Sequence, residues 1–412
     1  MREMKNSGIE WLEDIPSHWK IMPNKRIMKK KKELCPTYQG EDILSLTMNG
    51  VIVRDLTAGG KMPTTFDGYQ RLTAGNLLMC LFDIDVTPRC IGLIRNDGLS
   101  SPAYSQFVLN EKGYSPYYYY YYLNLDHTKE LLHMAKNLRH SLTEDQLGEI
   151  GVPVPPYEEQ VRIVTALEDK LPQVDALIAN VQAQIEKLKM YKQSVITEVV
   201  TRGLNQSVPM KSSGVEWIGE IPEHWITKRL KFVTTLKHEK WTSDYPDAVY
   251  IGLEHIESGS GNRIITDSIY DREQAVLFDE GNILFGKLRP YLAKVYICQE
   301  AGCCSSEFCV FELGDELIQR YAWSVLISQG FIDQVNFSTY GTKMPRANAD
   351  FIQNMYIPVP PKDEQEQIAE LIGTKCAQID QLIAIKQKKI DKLSEYKKSI
   401  IYEYVTGKKE VV

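Results

Sequence analysis

Residues 7–19 read SGIEWLEDIPSHW and residues 213–225 read SGVEWIGEIPEHW, so Ser, Gly, Glu, Trp, Ile, Pro, His and Trp return in one order with one set of gaps, 206 positions on. That spacing is the size of a domain, whereas solenoid repeats run at periods of about 20–50 residues. The 412 residues therefore read as two tandem copies of one domain. Two further strings agree: VPVPPYEEQ from Val152 returns as IPVPPKDEQ from Ile357, and KLKMYKQSVITEVVT from Lys187 returns as KLSEYKKSIIYEYVT from Lys392, each 205 positions on. Between these anchors the copies diverge, so a shared frame holds two unlike inserts.

The composition is that of a folded globular chain, with 43% hydrophobic, 25% charged and 10% aromatic residues. No apolar run approaches the roughly 18 residues of a membrane span, and the N-terminus MREMKNSGIEW lacks an apolar signal region, so a cytoplasmic protein is expected. Eight unevenly scattered cysteines suit reduced thiols, and the gaps between Cys298, Cys303, Cys304 and Cys309 match no zinc pattern. No metal site is expected.

After each PP pair, apolar residues step by three and four. In the first copy they are Val164, Leu167, Leu171, Val174, Ile178, Val181, Ile185, Leu188, Val195 and Val199, interrupted by Lys192. In the second they are Ala369, Ile372, Cys376, Ile379, Ile383, Ile390, Leu393, Ile400 and Tyr404, interrupted by Lys386 and Lys397. A narrow 3.5-residue stripe must be buried against another helix, which predicts two long helices packing as a coiled coil. Proline and acids at PPYEEQ and PPKDEQ suit helix starts. Pro172 predicts a break near Leu171, leaving a short helix and then a rod over about 172–202, and 30 residues at 1.5 Å each make it about 45 Å long.

The inserts carry short β-rich runs, NLLMCLF, IGLIR and SQFVL in the first and NILFGKL, AKVYIC and EFCVFEL in the second, each with one helical stretch. The fold class is therefore α+β, with two tandem α/β domains and two long helices. The expected boundaries are 1–151 and 206–356 for the domains, 152–205 and 357–412 for the helical regions. Six consecutive tyrosines, 117–122, read as a helix packed by aromatic rings, because bases cannot reach every face of a continuous helix.

No catalytic motif survives inspection. GNILFGKL from Gly281 fits G-x4-G-K, but Leu288 stands where a magnesium-binding Ser or Thr belongs and the residues between look like strand. Pro155, Pro156 and Tyr157 echo an amino-methyltransferase motif whose base-gripping residue is here Val154. Pro246, Asp247 and Glu254 resemble nuclease fragments without the accompanying lysine, and His18 and His224 belong to the repeated frame.

The alternation of SGIEWLEDIPSHW, β-rich insert, VPVPPYEEQ and long helix, repeated once, resembles the specificity subunit of type I restriction-modification systems over essentially the whole chain. GNILFGKLRPYLAKV from Gly281, CSSEFCVFEL from Cys304 and YGTKMPRANADF from Tyr340 are similar to strings of that family's target-recognition domains. The first insert departs from them, reading GNLLMCLFDIDVTPR and NLRHSLTEDQL. The resemblance implies a noncatalytic DNA reader: two target-recognition domains, joined by antiparallel helices, each read half of a split site. Two modification subunits would dock on the helices and methylate adenine with S-adenosylmethionine, and restriction subunits would add ATP- and magnesium-dependent translocation and cleavage. A rod of about 45 Å corresponds to roughly 13 base pairs between half-site centres at 3.4 Å per base pair.

The net charge of −6 argues against a uniformly basic DNA-binding surface, but basic residues cluster over 25–32 and 228–231. Base reading requires directional donors. In the second domain the candidates are Lys287, Arg289, Tyr291, Lys343 and Arg346, from the family-like strings; in the first they are Arg54, Lys61, Arg71, Arg89, Arg139 and His140, chosen by residue type and loop-like setting. Gly59-Gly60-Lys61 and the loop from Ser258 to Asn262 read as flexible loops able to enter a groove. Two other classes remain open: a noncatalytic coiled-coil scaffold whose inserts bind protein, without sequence-dependent DNA retention, and a nucleotide-using enzyme built on Gly281 to Lys287, whose nucleotide binding would be lost on changing Lys287.

Overall fold

A computed structural model describes residues 2–57, 63–135, 140–205, 207–242, 248–265 and 272–411. The chain divides into two compact units that cut across the tandem repeat. Unit 1 is Met1–Val181 with Lys388–Val412, and unit 2 is Gln182–Gln387. Each unit holds one insert, the first part of its own long helix and the last part of the other. Those helices are Tyr157–Arg202, 46 residues, and Lys362–Val405, 44 residues.

The repeated opening string explains this arrangement. In unit 1 the hairpin Met4–Asn6 with Asp14–Pro16 leads to Trp19, which is fully buried, and its indole Nε1 donates to Glu159 Oε2 at 3.1 Å. In unit 2 Met210–Ser212 pairs with Glu220–Pro222, and Trp225, equally buried, donates to Glu364 Oε2 at 2.9 Å. Both glutamates belong to the helix-start strings, and His18 and His224 lie beside them at 2.9 and 2.6 Å. The next residue, glutamine, is fully buried in both copies. Gln160 receives the N–H of Tyr114 and donates to Lys112 O and Pro155 O; Gln365 receives that of Ile318 and donates to Glu316 O and Pro360 O. Each long helix finally runs into the other copy's tryptophan. Gly203, at φ +73°, lies against the Trp225 ring, and Gly407, at φ +72°, against the Trp19 ring; a side chain at either would be strained in backbone and crowded in space.

The helices pack antiparallel within each unit. In unit 2 Lys386 donates to Gln184 at 2.6 Å while Lys192 reaches Asp380 at 2.7 and 2.8 Å, so one number rises as the other falls. In unit 1 Lys397 reaches Asp175 at 2.5 and 2.8 Å. Lys192 and Lys397, the two interruptions that the copies share, are thus equivalent residues making equivalent interhelical ion pairs. Of the predicted seam, Val174, Val181, Ile185, Ile379 and Ile400 are buried, and Ile178, Leu188, Ile383, Ile390 and Leu393 half-buried.

Two expectations need correction. The first long helix runs unbroken through Pro172. Pro172 is solvent-exposed, while Leu167, Leu171 and Val174 on the opposite face are buried in the core of unit 1, so packing on both sides holds the helix across one missing hydrogen bond. The seam also widens at its end: Val195 is only half-buried, whereas Ile196 and Val200 are fully covered. There the helix packs into the core around Trp225 and Tyr321 as well as against Ile368 and Ile372, and a globular core takes a broader face than a two-helix seam.

The inserts share a four-stranded antiparallel sheet. In unit 1 its order is Met28–Lys31, Ser105–Leu109, Leu77–Met79, Ile91–Leu93; in unit 2 it is Thr234–Lys237, Phe308–Leu313, Ile283–Gly286, Val295–Ile297. The tyrosine run lies in the helix Ser115–Thr128, with Tyr117, Tyr118, Tyr121 and Tyr122 buried. Their hydroxyls are satisfied inside the fold: Tyr117 donates to Val405 O, Tyr118 to Pro153 O and Tyr122 to Asn24 Oδ1. All eight cysteines are buried free thiols. Among the described residues no helix is long and apolar enough to cross a membrane.

Candidate nucleic-acid interface

In unit 2 the strand Ile283–Gly286 ends in a tip where the candidate residues meet. Ile283, Leu284 and Phe285 are buried in the sheet, so GNILFGK is a strand running into a turn and not a phosphate-cradling loop. Beyond it the chain is clamped to the segment 340–347 by backbone hydrogen bonds: Arg289 N–H to Pro345 O at 2.7 Å, Ala347 N–H to Lys287 O at 2.9 Å, and Arg346 and Tyr340 to each other at 3.0 and 3.2 Å. Lys287, Arg289, Tyr291, Lys343 and Arg346, from two strings with residues 296–339 between them, therefore share one tip.

The tip is rigid in backbone and open in side chain. Arg289 adopts the left-handed conformation, φ +52°, which only an over-determined backbone imposes on a non-glycine residue. Arg289 and Lys343 are exposed, and Tyr291, Tyr340 and Met344 present large surfaces at 53%, 62% and 62% exposure. Arg346 is held by an ion pair with Glu307, whose other carboxylate oxygen is buried without a partner. Cations fixed on a stiff loop beside exposed aromatic rings suit a base edge or phosphate, because little side-chain and loop ordering remains to be lost on binding. Sequence reading missed Glu307, which lies in the family-like string CSSEFCVFEL but gives no local signal of its partner. The loop from Ser258 to Asn262 is knitted rather than loose: Glu257 accepts from Ser260 Oγ at 2.5 Å and from Asn262 Nδ2 at 2.9 Å.

The described candidates of the first domain, Arg54, Arg71, Arg89 and His140, do not come together in this way. Arg71 is engaged inside the domain, 3.1 Å from Glu41, 3.9 Å from Glu33 and 3.2 Å from Cys35 Sγ. Arg54 is half-buried with its N–H on Ile43 O. Arg89 is half-buried beside the tyrosine helix, 3.5 Å from the Tyr119 hydroxyl. His140, also at positive φ, sits in the counterpart of the unit 2 tip, its Nδ1 2.9 Å from Asp85, and this hydrogen bond holds the Asp85 carboxyl below the usual carboxylate range. Lys61 and Arg139 lie outside the described residues. Half of the basic run of the first domain is tied down: Lys25 pairs with Glu149, Lys30 with Glu144, and Lys31 donates to Thr73. In the second copy Lys228 pairs with Glu316.

The family model described as type I restriction modification DNA specificity domain matches residues 96–189 and 222–395. Among curated proteins the chain is 24% identical over 260 residues to the EcoDI type I restriction enzyme specificity subunit of Escherichia coli, covering 58% of each chain. It is 27% identical over 278 residues to the MjaVIII specificity subunit of Methanocaldococcus jannaschii, covering 64% of this chain and 63% of that one. The matches thus span about three fifths of these relatives' length. Among solved structures, a chain from a study of assembly and conformational transition in the type I R-M system superposes with a TM-score of 0.69 at 14% identity, over 95% of this chain and 98% of that one. The HsdS subunit from Thermoanaerobacter tengcongensis superposes with a TM-score of 0.50 at 15% identity, over 95% and 98%. With the family model matched over more than half of its length, in both copies, the chain belongs to the type I restriction modification DNA specificity family.

Proposed function

We propose that this chain is the noncatalytic, sequence-reading subunit of a type I restriction-modification assembly, each unit reading one half of a bipartite DNA target. The observation that carries the reading is the contrast between one duplicated frame and two unlike tips. The frame repeats down to single hydrogen bonds, whereas the tips differ in charge and side chain, as two readers of different half-sites require. In this reading the long helices set the spacer between the half-sites. They also dock two modification subunits, which supply S-adenosylmethionine-dependent methylation of adenine, while restriction subunits supply ATP- and magnesium-dependent cleavage. The assembly works in the cytoplasm, where the DNA is. The protein-binding scaffold accounts for the helices but leaves the cationic, stiffened tip of unit 2 without a role.

The test is to coexpress the chain with its cognate modification subunits and map methylated adenines across the genome by single-molecule sequencing. A split motif with a constant gap is expected; methylation without a motif, or none in the presence of active modification subunits, sinks the proposal.

A further inference from the structure

Unit 1 holds a half-open cleft of about 720 Å³ between the tyrosine helix and the parts of the two long helices that belong to this unit. Its wall carries four permanent cations, Arg89, Arg95, Lys397 and Lys398, against two carboxylates, Glu168 and Asp175. Lys397 and Asp175 neutralise each other, and Arg89 rests against the Tyr119 hydroxyl. Arg95 and Lys398 are exposed and make no side-chain hydrogen bond or ion pair with any described residue. At the inner wall His127 keeps a buried Nδ1 without a hydrogen-bond partner. Burial first, and then the charges of Arg89, Lys398 and Lys397 against the opposing Asp126, push His127 down to about 4, so its ring is neutral at neutral pH and already sits in a positive field.

The duplicated frame does not account for this lining. The corresponding cleft of unit 2 is about 280 Å³, holds a single permanent cation, Arg320, and is narrowed by Trp323, whose Nε1 donates to Val295 O at 2.9 Å. By the 205-residue offset, the counterpart of Lys398 is Gln193, that of Glu168 is Gly373, and that of Lys397 is Lys192, which is bonded to Asp380. Lys398 and Glu168 thus lack charged counterparts in unit 2, whereas Lys397 and Lys192 are equivalent.

We infer that this cleft is an anion site for the phosphate group of a free ligand of mononucleotide size. A surplus of two positive charges matches a phosphate monoester dianion. Arginine and lysine together supply the fork and the point charge that phosphate oxygens accept, and the half-buried rings of Tyr119 and Tyr120 offer a flat wall for an attached base. The volume lies within the range of about 300–1,000 Å³ usual for small-ligand sites. The unpartnered His127 nitrogen supplies one further polar contact. This site is separate from the residues assigned to base reading in unit 2, and the inference does not depend on that assignment.

The test uses the full chain at constant ionic strength, with inorganic pyrophosphate and adenosine 5′-monophosphate titrated calorimetrically and a duplex of unrelated sequence titrated by fluorescence anisotropy. The double variant Arg95→Ala, Lys398→Ala removes two exposed side chains without fold partners, and its thermal transition is checked against that of the parent. His127→Gln serves as a second, charge-neutral probe, and Lys211→Ala, on a hairpin of unit 2, as a control for nonspecific charge loss. For a small-molecule site, pyrophosphate or the mononucleotide binds the parent, the double variant weakens binding at least tenfold, and Lys211→Ala leaves it unchanged. If neither small probe binds while the double variant lowers duplex affinity and flattens the slope of log K against log salt by about two, the cations belong to the DNA-binding surface and the small-ligand proposal fails. Identical binding of all three probes by the parent and the double variant overturns it.

Discussion

The two units share a frame and differ at their working ends, and the difference separates what folding requires from what recognition requires. The frame is the same to the level of single bonds: a buried tryptophan donating to a helix-start glutamate, a buried glutamine tying that helix to the insert, a lysine–aspartate pair across the helices. At the tips the backbone clamp is similar, with one more residue between its two hydrogen bonds in unit 1. Leu142 N–H bonds Leu81 O and Ile84 N–H bonds His140 O in unit 1, as Ala347 bonds Lys287 and Arg289 bonds Pro345 in unit 2, and Asp83 shares the left-handed conformation of Arg289. The side chains there differ in kind: Leu81, Asp83 and Asp85 in one, Lys287, Arg289 and Tyr291 in the other. A loop held by a similar backbone clamp in both units but carrying different side chains is suited to carrying sequence preference, because side chains can be exchanged on it without refolding the domain.

The largest expected effect tests the shared half of this comparison. Trp19→Ala and Trp225→Ala each remove a fully buried ring together with the donor to a helix-start carboxylate, and each should cost about 3–5 kcal/mol of stability. Because the two rings have equivalent surroundings, urea unfolding should show losses equal within about 1 kcal/mol, with limited proteolysis opening the unit that carries the substitution. One asymmetry already stands in unit 1. Burial pushes the Glu159 carboxyl up, but hydrogen bonds from Arg2, His18 and Trp19 outweigh it and hold the group below the usual range. If the Trp225 variant keeps its stability while the Trp19 variant unfolds, the frames are not equivalent and the parallel between the units fails.

The next effect tests the divergent half. Lys287→Ala with Arg289→Ala should weaken binding to the target by about 2–4 kcal/mol, at about 1–3 kcal/mol for each contact to a base and less for one to phosphate. The measurement is binding by the assembled complex to duplexes altered in one half-site at a time. The double variant should relax discrimination in one half-site and keep it in the other. Equal loss at both halves would mean that the tip anchors the backbone and reads no bases.

The architecture was legible in the sequence because duplication writes it twice: the strings at Ser7 and Ser213 mark the repeat, and the stripes ending at Val199 and Tyr404 mark the helices. Pro172 was misread because local propensity gives the cost of a lost hydrogen bond but not the packing of Leu171 and Val174 that offsets it. The tip residues of unit 2 were legible through family-like strings. Those of unit 1 were chosen by residue type alone, and type does not reveal whether a carboxylate folds alongside: Arg71 turned out to be held by Glu41, a partner thirty positions away that no spacing rule connects to it. Nor does composition show which of the six basic residues over 25–32 pair with Glu144 or Glu149.

The smallest effect concerns the acidic tip. Asp83 places a negative charge where unit 2 has Arg289, and Asp85, whose carboxyl the His140 hydrogen bond holds below the usual carboxylate range, adds a second on the same turn. Charges of that sign oppose phosphate and act over about a Debye length, near 8 Å at physiological salt. Two contributions of Asp83 and Asp85 are separable: repulsion from backbone phosphates, and acceptance of a hydrogen bond from a cytosine or adenine amino group. Asp83→Asn with Asp85→Asn removes the charge and keeps a carbonyl acceptor at each position. Affinity for a duplex of unrelated sequence should rise by no more than about threefold at low salt, or ~0.6 kcal/mol, and the gain should vanish at high salt. If these carboxylates read amino groups, the specific complex should lose affinity while the nonspecific one gains it, so the ratio of the two moves further than either value. An unchanged ratio would assign the acidic tip to electrostatic exclusion and leave base reading in unit 1 to other residues.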